Sequence, residues 1–204
     1  AMLITLFTGF RRGEVCGLEW SDINFQKRTI EVHRSIVVVK GYGTIEKTPK
    51  TKSSQRKVAI PSILLDTLVE YKKYWIDLRE ACGDYMESSD KLFTAEKGGR
   101  IYPGLLNSWL NKVLKDANLE HFTVHSIRHT NITLQLAAGV PLVTVSGRAG
   151  HSDPNVTGNT YAHWLQSSDR AAADAIDHIF GYQQKTSDEK ENINYVYPQI
   201  KKNL

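Results

Sequence analysis

Apolar positions recur at helical spacing over most of this chain and at strand spacing over one stretch. Met2, Leu3, Leu6 and Phe7 share one face of a helix that ends near Thr8-Gly9, where glycine accepts a left-handed backbone. A second short helix is expected from about Arg12 to Leu18. Residues 29–39 are rich in β-branched side chains and read as a strand, and the alternation over 57–60 reads as another. Gly41, Gly43 and Pro49 punctuate the interval. The expectation is therefore an antiparallel hairpin or three-stranded sheet with a basic tip around Lys50 to Gln55.

The remainder reads as helices. Pro61 and Ser62 open a long amphipathic one that runs to about Cys82 and is closed by Gly83, with Leu64, Leu65, Leu68, Tyr71, Trp75 and Leu78 on its buried side. Another starts at Pro103 and carries Leu106, Trp109, Leu110, Val113 and Leu114 inward. Residues 125–138 form a helix ended by Gly139, and 141–148 a short one. Further helices are expected over 154–164 and 167–179. The fold class is mainly α with a small antiparallel β-sheet (α+β). The polar run 183–192 has the composition of a linker, followed by an apolar stretch from Ile193 to Pro198. That stretch is either a disordered tail or a segment that docks on its own domain or on a neighbour. The domain proper is read as 1–181, and 182–204 as linker and tail.

Composition narrows the class. With 204 residues, 41% hydrophobic and 24% charged, the chain has material for one sizeable core. Its net charge of +4 permits a nucleic-acid partner without requiring one. The basic residues concentrate: Lys47, Lys50, Lys52, Arg56 and Lys57 lie in one short segment. The two cysteines, Cys16 and Cys82, form no CxxC pair, so neither a disulfide framework nor a zinc site is expected. No segment has the length and apolarity of a membrane span, and a cytoplasmic protein is the default expectation. The opening residues read as the last turns of a core helix, which gives the chain the look of a fragment.

Four segments carry candidate chemistry. They are Thr8-Gly9-Phe10-Arg11-Arg12-Gly13-Glu14, Thr48-Pro49-Lys50-Thr51-Lys52-Ser53-Ser54-Gln55-Arg56, His125-Ser126-Ile127-Arg128-His129-Thr130 and Gly150-His151 through Tyr161-Ala162-His163. Cleaving a phosphodiester requires cations on its non-bridging oxygens, and arginine's planar fork suits them. Arg11 and Arg128 are the candidates; Arg11 read alone is a surface arginine at a helix start. His125 stands three positions before Arg128, on the same helical face, and can exchange a proton at the same phosphate. Lys52 is a candidate general acid for the leaving oxygen, or else part of a loop that grips the DNA backbone with Lys50, Arg56, Lys57 and Arg12. His151 can hydrogen-bond the phosphate, or simply belong to a helix start. Tyr161 can be the nucleophile, its phenol made accessible by nearby cations, or a packed aromatic. His121, His125 and His129 recur every four residues, but His121 falls before the helix and no carboxylate or cysteine accompanies them. No metal or cofactor is expected.

On these motifs the chain resembles the catalytic domain of tyrosine recombinases, the phage-integrase family, over about residues 1–180. The arginine motif looks like the segment around Arg11, followed by Trp20-Ser21-Asp22-Ile23. The hairpin lysine matches Lys52, the His-x-x-Arg box His125 to Arg128, the Gly-His pair Gly150-His151, and the nucleophile Tyr161. The hairpin and tyrosine segments look like those of integrases from Gram-positive phages and conjugative transposons. Three departures stand out: Ser126 where aspartate is common, Ala149 where leucine is usual, and Gly158 inside the tyrosine helix.

The resemblance implies that Tyr161 forms a 3′-phosphotyrosine link and releases a 5′ hydroxyl, with strand exchange needing neither ATP nor metal. It implies double-stranded DNA as partner, a homo-oligomer (a tetramer on DNA), and N-terminal DNA-binding domains upstream of this chain. Without those domains the chain is expected to bind DNA weakly. Two other readings stay open: a type IB topoisomerase-like activity, and a non-catalytic DNA-binding module.

Overall fold

The computed structural model describes residues 1–48, 55–85, 89–95 and 97–151, with single positions 153, 155, 157, 158, 176 and 179. The chain divides into two units, 1–165 and 166–204, the second described only at Ile176 and Ile179, both helical. In the first unit, α1 (Met2–Thr8) and α2 (Arg12–Gly17) lead through a 3₁₀ turn (Trp20–Asp22) into the strands β1 (Ile23–Asn24), β2 (Thr29–Val32), β3 (Ser35–Val39), β4 (Gly43–Lys47) and β5 (Arg56–Ala59). The helices α3 (Ser62–Cys82), α4 (Gly104–Asp116), α5 (Val124–Ala137) and α6 (Leu142–Ala149) follow. Asn155, Thr157 and Gly158 also have helical backbone. Among the described residues, no helix is long and apolar enough to cross a membrane.

The helical expectations up to residue 149 hold to within a residue or two, whereas of the helix expected over 167–179 only Ile176 and Ile179 fall among the described residues. Gly9 ends α1 at φ 72°, and Gly150 ends α6 at φ 72°, both in the left-handed region that glycine occupies without penalty. Thr123 caps α5: its Oγ1 accepts from the Ser126 backbone N–H at 3.1 Å, and Ser126 Oγ reaches back to the Thr123 N–H at 3.4 Å. Ser126, which departs from the family pattern, therefore serves the helix start. Of the segment expected to be helical over 154–164, only Asn155, Thr157 and Gly158 fall among the described residues.

The β region differs from the expected single strand over 29–39. The chain breaks at His33-Arg34, and its two halves join different sheets. β1, β2 and β5 form an antiparallel sheet in that order, with Ile30 opposite Val58 and Val32 opposite Arg56. β3 and β4 form a separate hairpin, with Ile36 opposite Glu46. Two forces impose the break. Arg34 turns inward to Asp22 at 2.7 Å and Glu19 at 3.0 Å. Helix α2 also lies directly on β3: a Cβ at Gly13 would stand 2.5 Å from the Ile36 carbonyl oxygen. The β4 strand escaped the sequence reading because every residue in it is exposed, so it shows no apolar alternation.

One core joins these elements. Phe10, Val15, Leu18, Ile30, Val58, Leu64, Leu92, Ile101 and Leu106 are all buried in it, and Ile132, Val145 and Ala149 form a smaller cluster between α5 and α6. On α4 the buried stripe is narrower than expected. Leu106, Leu110 and Leu114 face inward, whereas Trp109 is 40% and Val113 59% exposed. A spacing of four holds one row of side chains against the core and turns the next row outward. Accordingly, Leu106→Ala is expected to lower unfolding stability by about 2–5 kcal/mol, and Val113→Ala by no more than about 0.5 kcal/mol, in urea titrations of the two variants.

Candidate active site

The site begins at the Gly9 turn. Helix α5 reaches it with two polar side chains. Arg128 donates to the Gly9 carbonyl, and Asn131 Nδ2 donates to the Leu6 carbonyl at 2.6 Å. The turn is tight here, since a Cβ at Gly9 would meet Asn131 Oδ1 at 2.6 Å. Together these contacts hold the end of α1 against α5 and fix where Arg11 emerges. Arg11 is the N-cap residue of α2, and its backbone N–H donates to Glu14 Oε2 at 2.8 Å, the reach-back half of a capping box.

Glu14 is the hub that holds the arginines. Its Oε1 accepts from Arg11 Nη1 at 3.1 Å and Arg56 Nη1 at 3.0 Å, and its Oε2 accepts from Arg56 Nη2 at 2.7 Å. Arg56 and Glu14 are a buried pair, with side-chain exposures of 7% and 6%. Arg56 also donates from Nε to the Arg148 carbonyl at 2.7 Å and stacks over the Phe10 ring at 4.9 Å. Burial by itself would raise the Glu14 carboxyl. The Arg56 fork and charge, with the Arg11 backbone N–H and charge, outweigh that and hold it below the ordinary glutamate value.

Arg128 is 3% exposed and joins two helix ends. Besides Gly9 it donates to the Ala149 carbonyl at 2.9 Å, at the C-terminus of α6, where the helix dipole favours a cation. Its Nη2 also lies 2.9 Å from His151 Nε2. Arg11 Nη2 donates to the Gly150 carbonyl at 2.9 Å. The Gly-His turn is thus held by both arginines.

A cleft of about 640 Å³ opens over this cluster, lined by Arg11, Arg12, His125 and Arg128 on one side and by β3 residues Ser35 to Val38 on another. The Arg11 side chain is 44% exposed, so it can meet a ligand there while held from behind by Glu14. His125 packs edge-on against His129, ring centroids 4.4 Å apart. Burial, then His129, Arg128 and Arg11, lowers its pKa. Burial, then Arg128, Arg11, Arg56 and His129, lowers that of His151 to about 4. Both imidazoles are therefore neutral at pH 7. Glu14 pairs with Arg11 and Arg56, while Arg128 donates to the carbonyls of Gly9 and Ala149; the guanidiniums gathered on this cleft suit an anion such as a phosphodiester.

Measured against the sequence, Arg11, His125, Arg128 and His151 come together, and Arg12 lies exposed on the same cleft. Lys50, Lys52 and Tyr161 lie outside the described residues. Arg56, expected on a DNA-gripping loop, is instead turned inward, because Glu14 offers it a buried carboxylate and Phe10 an aromatic face. Lys57 is exposed but paired with Glu31 at 2.7 Å. The sequence reading gave no role to Glu14, although its spacing of three from Arg11 is a capping signal, nor to Thr157, whose Oγ1 lies 2.7 Å from His151 Nδ1.

Known proteins share this sequence and fold. The model of the phage integrase family matches residues 1–168. A tyrosine recombinase XerC-like protein of Caldanaerobacter subterraneus subsp. tengcongensis is 37% identical over 189 residues, covering 87% of this chain and 48% of that protein. The ICEBs1 integrase of Bacillus subtilis is 28% identical, covering 86% of this chain and 47% of the relative. The chain thus spans about half the length of these curated relatives. Among solved structures, a Tn1549 transposon integrase in complex with circular intermediate DNA superposes with a TM-score of 0.71 at 26% identity, covering 86% of this chain and 58% of that one. These likenesses agree with the resemblance to integrases of Gram-positive phages and transposons drawn from the motifs.

Two measurements check the site. Removing the Glu14 carboxylate leaves Arg56 buried without it, so Glu14→Ala is expected to cost about 3–5 kcal/mol in chemical denaturation. Because the Glu14 pKa is depressed on folding, its contribution is fully present above the unfolded value, about 4.3, and is lost as pH falls through the folded value. Urea midpoints of the wild type should fall over that acid range, and those of Glu14→Gln should lack this component. For His151, NMR titration should place the imidazole near pH 4. Stability linked to its neutral form is present above the unfolded value of about 6.5 and declines as pH falls from there.

Proposed function

We propose that this chain, which belongs to the phage integrase family on the match over residues 1–168 and the 37% identity to a tyrosine recombinase, is the catalytic part of a site-specific DNA recombinase that cleaves and rejoins strands through a 3′-phosphotyrosine intermediate. The observation that carries the reading is the convergence of Arg11, Arg128 and His151 on the Gly150 turn, beside a cationic cleft that also holds His125. In this reading Arg11 and Arg128 bind the non-bridging oxygens of the scissile phosphate, where charge builds in the transition state. His125 and His151, neutral in the free protein, hydrogen-bond the same group. An arriving phosphate favours their protonated forms, which allows proton exchange there. Tyr161 is the nucleophile and Lys52 the acid for the departing 5′ oxygen.

Residues 1–181 make up the catalytic domain, and 182–204 a linker and tail. The partner is double-stranded DNA, a reading supported by the Tn1549 transposon integrase solved in complex with circular intermediate DNA. The working form is a homo-oligomer, a tetramer on two duplexes, in the cytoplasm.

The test is a pool of nicked suicide duplexes with randomised sequence around the nick. The wild-type chain should form a covalent protein–DNA adduct, and Tyr161→Phe should form none. Arg11→Ala and Arg128→Ala should each lower adduct formation by about 10²–10³-fold, the loss typical of a preorganised transition-state donor. Binding without any adduct would overturn the reading in favour of a non-catalytic DNA-binding module.

A further inference from the structure

His151 is held on both sides, and the two contacts together fix its proton. Arg128 Nη2 lies 2.9 Å from Nε2, and a guanidinium can only donate. Nε2 therefore carries the lone pair. A neutral imidazole then bears its proton on Nδ1, and Nδ1 lies 2.7 Å from Thr157 Oγ1. The hydroxyl of Thr157 is the acceptor of that N–H. Thr157 is fully buried, at 0% exposure, so this hydroxyl has no water to exchange for the imidazole. The imidazole pKa of about 4 agrees with a ring kept neutral by burial and by Arg128, Arg11, Arg56 and His129 around it.

Thr157 is also placed to do more than orient a ring. Its backbone is helical, as is that of Asn155 and Gly158, and Tyr161 follows four positions later. A continuous series of hydrogen bonds runs from the Gly9 carbonyl through Arg128 and His151 to Thr157. It ties the arginine end of the cleft to the segment that leads into the tyrosine.

We propose that Thr157 is a positioning residue for strand cleavage: by accepting the Nδ1 proton of His151 it completes, with Arg128 on Nε2, the pair of contacts that holds the imidazole in one orientation beside the arginine cluster. The inference rests on the recombinase reading above. The competing possibility is that Thr157 is merely packed, and two variants separate the cases. Thr157→Val keeps the shape and removes the hydroxyl, whereas Thr157→Ser keeps the hydroxyl and removes the methyl group.

Two readouts are needed. Imidazole ¹⁵N shifts should show the Nδ1–H tautomer of His151 in the wild type, with the Nδ1 shift retained in Thr157→Ser and moved in Thr157→Val, where that N–H has lost its acceptor. Single-turnover adduct formation on the nicked duplex pool should fall about tenfold in Thr157→Val, the effect of one lost hydrogen bond at the upper end of ordinary strength, with duplex affinity unchanged. Thr157→Ser should restore most of the rate. A valine variant with the wild-type Nδ1 shift and rate overturns the proposal, as does a serine variant impaired as badly as the valine one. If the wild type forms no adduct at all, the recombinase reading fails and the role of Thr157 in cleavage fails with it. A normal wild-type adduct with unchanged variants sinks the positioning role alone.

Discussion

A single buried carboxylate makes the cationic cleft possible. Guanidiniums crowded together repel one another, and the inner ones, Arg56 and Arg128, are buried enough for solvent to screen them poorly. Glu14 offsets this by sharing its oxygens between Arg11 and Arg56 while also receiving the backbone N–H that starts α2. One side chain thereby links a local helix start to a strand some forty residues away. Arg56 extends the link to the carbonyl of Arg148 on α6. The return strand of the β region, the arginine turn and the Gly-His turn are thus registered on one another before any ligand arrives, which is what electrostatic preorganisation requires.

Much of this was legible in the sequence because the signals are local. Gly9 and Gly150 end their helices, Pro61 and Pro141 precede helix starts, and the spacing of His125 and Arg128 places both on one helical face. What was not legible depends on partners distant in the chain. Residues 29–39 read as one strand, and only the carboxylates of Asp22 and Glu19 with the close approach of Gly13 show why the chain changes sheets at Arg34. Arg56 sits in a run of basic residues that looks like a solvated DNA-binding loop, and nothing nearby in sequence discloses the carboxylate that draws it inward. Trp109 and Val113 are apolar at helical spacing, yet the core accepts just the neighbouring row of α4.

The site itself was read with the same asymmetry. The residues bearing charge or a nucleophilic atom could be named from their motifs. The groups that hold them, Asn131 against α1 and Thr157 against His151, are ordinary polar residues whose roles exist only in three dimensions. Candidate site residues announce themselves by type, and their supports by geometry.

The way Arg128 is anchored limits what could replace it. Its guanidinium spans the carbonyl ends of α1 and α6 and still faces an imidazole, which takes a flat group with donors fanned in several directions. A lysine ammonium, although equally charged, concentrates its hydrogens on one atom and cannot bridge both helix ends at once. The relative seating of those two helices is therefore encoded in the shape of a side chain rather than in its charge, so a charge-preserving exchange at this position would loosen the architecture as well as the chemistry.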